Sequence, residues 1–222
     1  PSSARAAAAL AEVEFAENKP LQGMALLEQA AARSPDSQAI QAALGHHLAV
    51  YVSSQGASLK PEEVARARTA LERAVALEPN DVVATAELGW MLLFEPDDPA
   101  RAAEMLRKAV TLNRSRDQYQ LWLGDAFIRQ RKFDEGRSLL GPLMGRGSTP
   151  EIRMAARSLM GNISRIMQAD EARAAAASRA TTAPAPPARA SAASPAGSTP
   201  AANSADASTF IPALRQVATG ET

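Results

Sequence analysis

LGWMLLFEPDDPARAAEMLRKA, residues 88–109, holds a Leu88-Gly89 pair, two prolines around an Asp97-Asp98 pair, and then Ala102, Leu106 and Ala109. Steps of three and four between small and apolar residues keep one face of a helix apolar, and proline cannot sit in the middle of one. The stretch therefore reads as two helices joined by a polar, proline-bounded turn. The same phrase occurs four times along the chain: Leu10-Ala11 with Gly23, Leu27 and Ala30; Leu44-Gly45 with Ala67, Leu71 and Ala74; Leu88-Gly89 with Ala102, Leu106 and Ala109; and Leu123-Gly124 with Gly136, Leu140 and Leu143. Repeated self-similarity of this kind is the signature of stacked supersecondary units.

The small residues at 11, 45, 89 and 124 let a second helix approach closely, and Gly23, Ala67, Ala102 and Gly136 offer the matching gap. The leucines at 27, 71, 106 and 140 fall one turn further on, so each second helix turns an apolar stripe inward. Each pair is expected to be a helical hairpin. Ala11 and Gly45 are 34 positions apart and Gly89 and Gly124 are 35 apart, but Gly45 and Gly89 are 44 apart. The surplus lies between Leu48 and Ala67, where residues 53–61 have the composition of a long elbow loop.

Pro35 and Pro79 end second helices, and the Asp, Ser or Asn after each is expected to cap the next helix. Asp97-Asp98 reads as another helix start. Residues 1–148 thus hold four hairpins, and Ser148-Thr149-Pro150-Glu151 begins a capping helix over 149–179, with Ile152, Ala155, Leu159, Ile163 and Ile166 on one face. Arg153, Arg157 and Arg165 are expected to face water. Residues 181–209 are almost entirely Ala, Pro, Ser, Thr and Gly, which cannot offset the roughly 1–2 kcal/mol per residue lost on ordering the backbone. The tail over 180–222 is expected to be disordered, with Phe210, Ile211, Leu214 and Val217 forming a short apolar docking motif within 210–217.

Lys plus Arg and Asp plus Glu both number 24, so no overall field recruits nucleic acid or an anionic surface. There is no cysteine, hence no disulfide framework and no thiolate nucleophile or metal ligand. No apolar run approaches the roughly 18 residues needed to span a bilayer, so membrane insertion is not expected. The chain opens on Pro-Ser-Ser-Ala-Arg without an initiator Met or signal-like stretch, and is read as a processed or truncated piece, cytoplasmic or periplasmic.

The Leu-Gly, Ala, Leu, Ala pattern with proline at the turn, and the stretch Arg131-Lys-Phe-Asp-Glu-Gly136, resemble the tetratricopeptide repeat family over roughly residues 4–148. The resemblance implies an all-α, right-handed superhelix of four helical hairpins whose first helices line a concave groove for an extended or helical peptide. Glu14 stands where the other repeats have Leu48, Leu92 and Phe127, Arg114 replaces the turn proline, and Leu143 replaces the usual Ala, so the first and fourth repeats are expected to pack less regularly. The run Pro150-Glu-Ile-Arg-Met-Ala-Ala-Arg after the repeats also looks like the C-terminal part of longer bacterial proteins, some with a zinc-peptidase-like domain ahead of the repeats.

In that register, positions three before and one, four and five after each small residue face the groove. They include Glu12, Phe15, His46, Val50, Trp90, Leu93, Phe94, Leu121, Asp125, Ile128 and Arg129, an apolar surface with an acidic edge. Trp90, Leu93, Phe94 and Ile128 are expected to supply most of the contact to an apolar or amphipathic, mildly basic segment, with Glu12 and Asp125 setting its orientation. Trp122 is read as packing between hairpins. The alternatives are that these side chains close the superhelix on itself as a structural spacer, or that the repeats regulate or present substrate to a larger enzyme.

Adjacent His46 and His47 point about 100 degrees apart on a helix and cannot chelate one ion as a pair four apart would. No His-Glu-x-x-His, Walker-type loop or Gly-x-Ser-x-Gly elbow is present. Gly141, Gly145 and Gly147 are read as following a helix and terminating it, not as a phosphate loop. Neither an enzymatic activity nor a cofactor is expected.

Overall fold

The structure, a computed structural model, describes residues 3–55, 59–94 and 96–182. The described residues form an all-α arrangement without a strand: α1 (Ala4–Ala16), α2 (Pro20–Arg33), α3 (Gln38–Ser54), α4 (Pro61–Leu77), α5 (Val82–Met91), α6 (Pro99–Leu112), α7 (Asp117–Arg129), α8 (Phe133–Arg146) and α9 (Pro150–Thr182). Consecutive helices pack as hairpins, α1 on α2, α3 on α4, α5 on α6 and α7 on α8. Each hairpin also packs on the next, and α3 touches α5, α5 touches α7 and α7 touches α9, which is the contact pattern of a helical solenoid.

The repeat phrase explains this packing atom by atom. A Cβ on Gly45 would lie 2.6 Å from the Leu71 side chain, one on Gly89 2.7 Å from Leu106, and one on Gly124 2.7 Å from Leu140. Leu27, Leu71, Leu106 and Leu140 are wholly buried. Of the phrase's first leucines, Leu44, Leu88 and Leu123 are buried, whereas Leu10, with no described hairpin before it, is 40% exposed.

Proline opens α2, α4, α6 and α9, where its missing N–H removes no helical bond. Asp81 and Asp98 accept the backbone N–H of Ala84 and Arg101, each at 3.0 Å, and so cap α5 and α6. Thr149 Oγ1 accepts from Ile152 N at the start of α9. Ser37 occupies the N-cap of α3 but makes no side-chain cap bond.

Four expectations need correction. The elbow is shorter than 53–61, because Ser53 and Ser54 form the last turn of α3 and Pro61 the first of α4. The hydroxyls of Ser53 and Ser54 bond back to the Val50 and Tyr51 carbonyls, and both helices of this hairpin are 17 residues long. Gly141 and Gly145 do not terminate α8: the helix runs through both and through Pro142, carried by buried Leu140 and Leu143, and ends at Gly147. The fourth repeat, expected to pack less regularly, is closely packed, since residues 121–128 of α7 are all buried and Leu143 is 4% exposed. Arg153 is half-buried instead of facing water, and donates to the Gly147 carbonyl at 2.6 Å, while exposed Arg157 donates to Met144 O at 3.1 Å. Both meet carbonyls that the end of α8 leaves unpaired.

Ile152, Ala155, Leu159 and Ile163 of α9 are buried, and residues 171–179 are exposed on every side. α9 runs to Thr182, so residues 180–182 of the tail expected over 180–222 are helical; the rest of it, including the apolar motif at 210–217, lies outside the described residues.

Candidate functional site

Where α3, α5 and α7 meet they enclose a groove of about 170 Å³. Its floor is Trp90 from α5 and Trp122 from α7, stacked with ring centroids 4.9 Å apart and planes 5° from parallel. Tyr119 lies against Trp122 at 5.9 Å, and His46, Ala49 and Val50 of α3 form one wall. Val83 and Glu87 of α5 face them, and Asn113, Arg116 and Gln118 stand at the rim.

The local sequence places each part. His46 and Val50 are one helical turn apart on α3, as Val83, Glu87 and Trp90 are at steps of four and three on α5. His46 Nδ1 and Glu87 Oε1 are 2.6 Å apart, an ion pair when the ring is protonated. Hydrogen bonding to that carboxylate, helped by the charge of Glu12, raises the affinity of His46 for its proton against the opposing effect of burial. His47 behaves oppositely, because burial and the neighbouring His46 charge disfavour its protonated form. It stacks on Phe15 at 3.5 Å and lies 3.6 Å from Glu12.

Two side chains that line this groove each hold a buried polar atom, Glu87 Oε2 and Trp122 Nε1, without a hydrogen-bond partner among the described residues. Leaving such a group unmet costs about 1–3 kcal/mol, so one acceptor and one donor on side chains lining the same small groove are conspicuous. Among the described residues no cluster of three His, Asp or Glu side chains is arranged to hold a metal ion, and no helix is long and apolar enough to cross a membrane.

Of the residues expected to line a concave face, His46, Val50 and Trp90 come together here. Glu12 is exposed and half-buried Phe15 sits beside the groove through His47. Trp90, at 3% exposed, is as buried as Leu93 and Phe94, and Leu121, Asp125 and Ile128 are buried too, so the open contact surface expected from Trp90, Leu93, Phe94 and Ile128 is largely closed. For Leu93 and Phe94 the cause is that α5 ends at Met91: residues 92–94 leave the helix, and Phe94 packs edge-on to Trp90 with centroids 5.4 Å apart. Asp125 is not an orienting surface charge either. It bonds to Arg129, 3.1 Å away, and Arg129 also reaches Asp97 at 3.3 Å. Burial raises the Asp125 pKa despite that partner.

Glu87, Tyr119 and Trp122 belong to the groove but fall outside the register rule. Glu87 had a signal in the sequence, being the one charged side chain in α5. No protein-family model and no curated protein matches this chain. The fold is a helical solenoid, and Trp90 and Trp122 stack beside a groove between its odd-numbered helices.

Proposed function

We propose that the chain is a tetratricopeptide-type superhelix that holds a segment of another polypeptide against α3, α5 and α7. The segment is amphipathic, with apolar side chains on Val50 and the tryptophan floor and basic ones toward Glu87 and Glu12. The observation that carries this reading is the pairing of stacked Trp90 and Trp122 with two buried, unpartnered polar atoms on side chains lining one groove. A polypeptide supplies both missing partners, since every residue but proline brings an N–H and a C=O.

The chain's only two tryptophans line the groove, so their fluorescence reports occupancy. Titration of the full chain with a basic amphipathic peptide should give a saturable spectral change. Val50→Asp, at a half-buried position on the groove wall, should weaken it by about 1–3 kcal/mol with far-ultraviolet circular dichroism unchanged. Absence of any saturable change would remove the reading and leave the solenoid as a structural spacer.

A further inference from the structure

Glu87 stands in α5 between buried Ala86 and Leu88, one turn before Trp90. Its Oε1 lies 2.6 Å from His46 Nδ1, and its Oε2 is buried without a hydrogen-bond partner among the described residues. An ionised carboxylate can only accept hydrogen bonds, so whatever completes it must donate. Arg116, at the rim of the same groove, is exposed and already engaged in an interaction of its own. The His46 side chain is 40% exposed and forms the lip over Glu87, whose side chain is 12% exposed. Of the groove residues around that carboxylate, His46 and Val50 of α3 are the partly exposed ones on its α3 side, whereas Trp90 is 3% exposed.

Resting on the groove reading, we infer that Glu87 is the seat of one cationic side chain of the bound segment, a Lys ammonium or an Arg guanidinium. The long apolar stem of such a residue lies along Val50 and Trp90 while its head reaches inward. An anionic residue would meet Glu87 where few waters screen the repulsion, and a neutral one would leave Oε2 without its strongest partner.

The test compares two short acetylated, amidated Leu/Ala peptides, identical except for one central lysine or norleucine, titrated against the full chain by tryptophan fluorescence at low ionic strength. The lysine peptide should bind about tenfold to a hundredfold more tightly, the range expected for a hydrogen bond to a charged group. Glu87→Gln should level the two affinities. Equal binding of both peptides to the unaltered chain overturns the inference while leaving the groove reading in place, as does a lysine preference that survives in Glu87→Gln. Failure of both peptides to bind removes the groove reading itself, and the inference with it. Should Glu87→Gln not fold, the comparison on the unaltered chain decides alone.

Discussion

His46 and His47 are neighbours in sequence with opposite proton preferences, and the cause is what each touches. His46 meets the Glu87 carboxylate across α3 and α5, with Glu12 from α1 adding to the same effect, so its proton is held more tightly than the ordinary value of 6.5. Its stabilising contribution is full below that value and is lost as pH rises through its raised pKa. His47, buried against Phe15, is favoured neutral, so its contribution is full above 6.5 and is lost as pH falls toward its lowered pKa. The two trends oppose each other in the intact chain. In His47→Gln the melting temperature should fall as pH rises from about 6 to 8, and in His46→Gln it should rise between about 5 and 6.5. A flat profile in His47→Gln would reject the His46–Glu87 pair.

At the scale of elements, helix ends are held by arginines from neighbouring helices. Arg68 of α4 donates to the carbonyls of Met91 at 2.9 Å, Phe94 at 2.5 Å and Pro96 at 2.7 Å, so one guanidinium closes the end of α5 and fixes the turn that folds Phe94 onto Trp90. Its fork geometry matters, because a lysine ammonium cannot spread over three carbonyls in this way. Arg68→Ala should cost about 2–4 kcal/mol in urea denaturation and Arg68→Lys most of that, since each leaves carbonyls without donors. A loss below about 1 kcal/mol would mean that water replaces the guanidinium. The hairpin turns carry strain of another kind. Asn18 and Arg131 occupy equivalent places after α1 and α7 with φ near +60°, a conformation asparagine tolerates and arginine adopts at a cost of about 1 kcal/mol.

Across the whole molecule, each hairpin packs mainly on its chain neighbours, so stability is distributed along the solenoid and need not be uniform. The first hairpin has one described neighbour and exposes Leu10, Val13 and Leu21 at 40, 50 and 64%. Its carboxylate Glu14 has a buried oxygen 3.8 Å from Lys19, too far for a hydrogen bond. The fourth is enclosed by α6 and α9. Native-state hydrogen exchange should therefore release the amides of α1 and α2 before those of α7 and α8. Leu27→Ala should speed exchange in α1 and α2 while leaving α7 nearly unchanged; equal acceleration everywhere would show a single cooperative unit instead.

The hairpins were legible in the sequence because small residues and leucines recur at fixed steps, and a glycine facing a leucine permits only one close approach. Gly45, Gly89 and Gly124 meet Leu71, Leu106 and Leu140 for that reason. His46, Val50 and Trp90, which the register of the repeat phrase puts on one side of the first helices, lie around one groove. Tertiary structure decided what register cannot: that α5 stops at Met91 and turns Leu93 and Phe94 inward, that Asp125 is buried beside Arg129, and that Trp122 crosses to stack on Trp90. Helical periodicity assigns a side chain to a face, whereas its exposure depends on how far the next hairpin covers that face. The unpartnered oxygen of Glu87 emerges only when three helices meet around it, because no single helix contains both the buried carboxylate and the walls that keep other donors away.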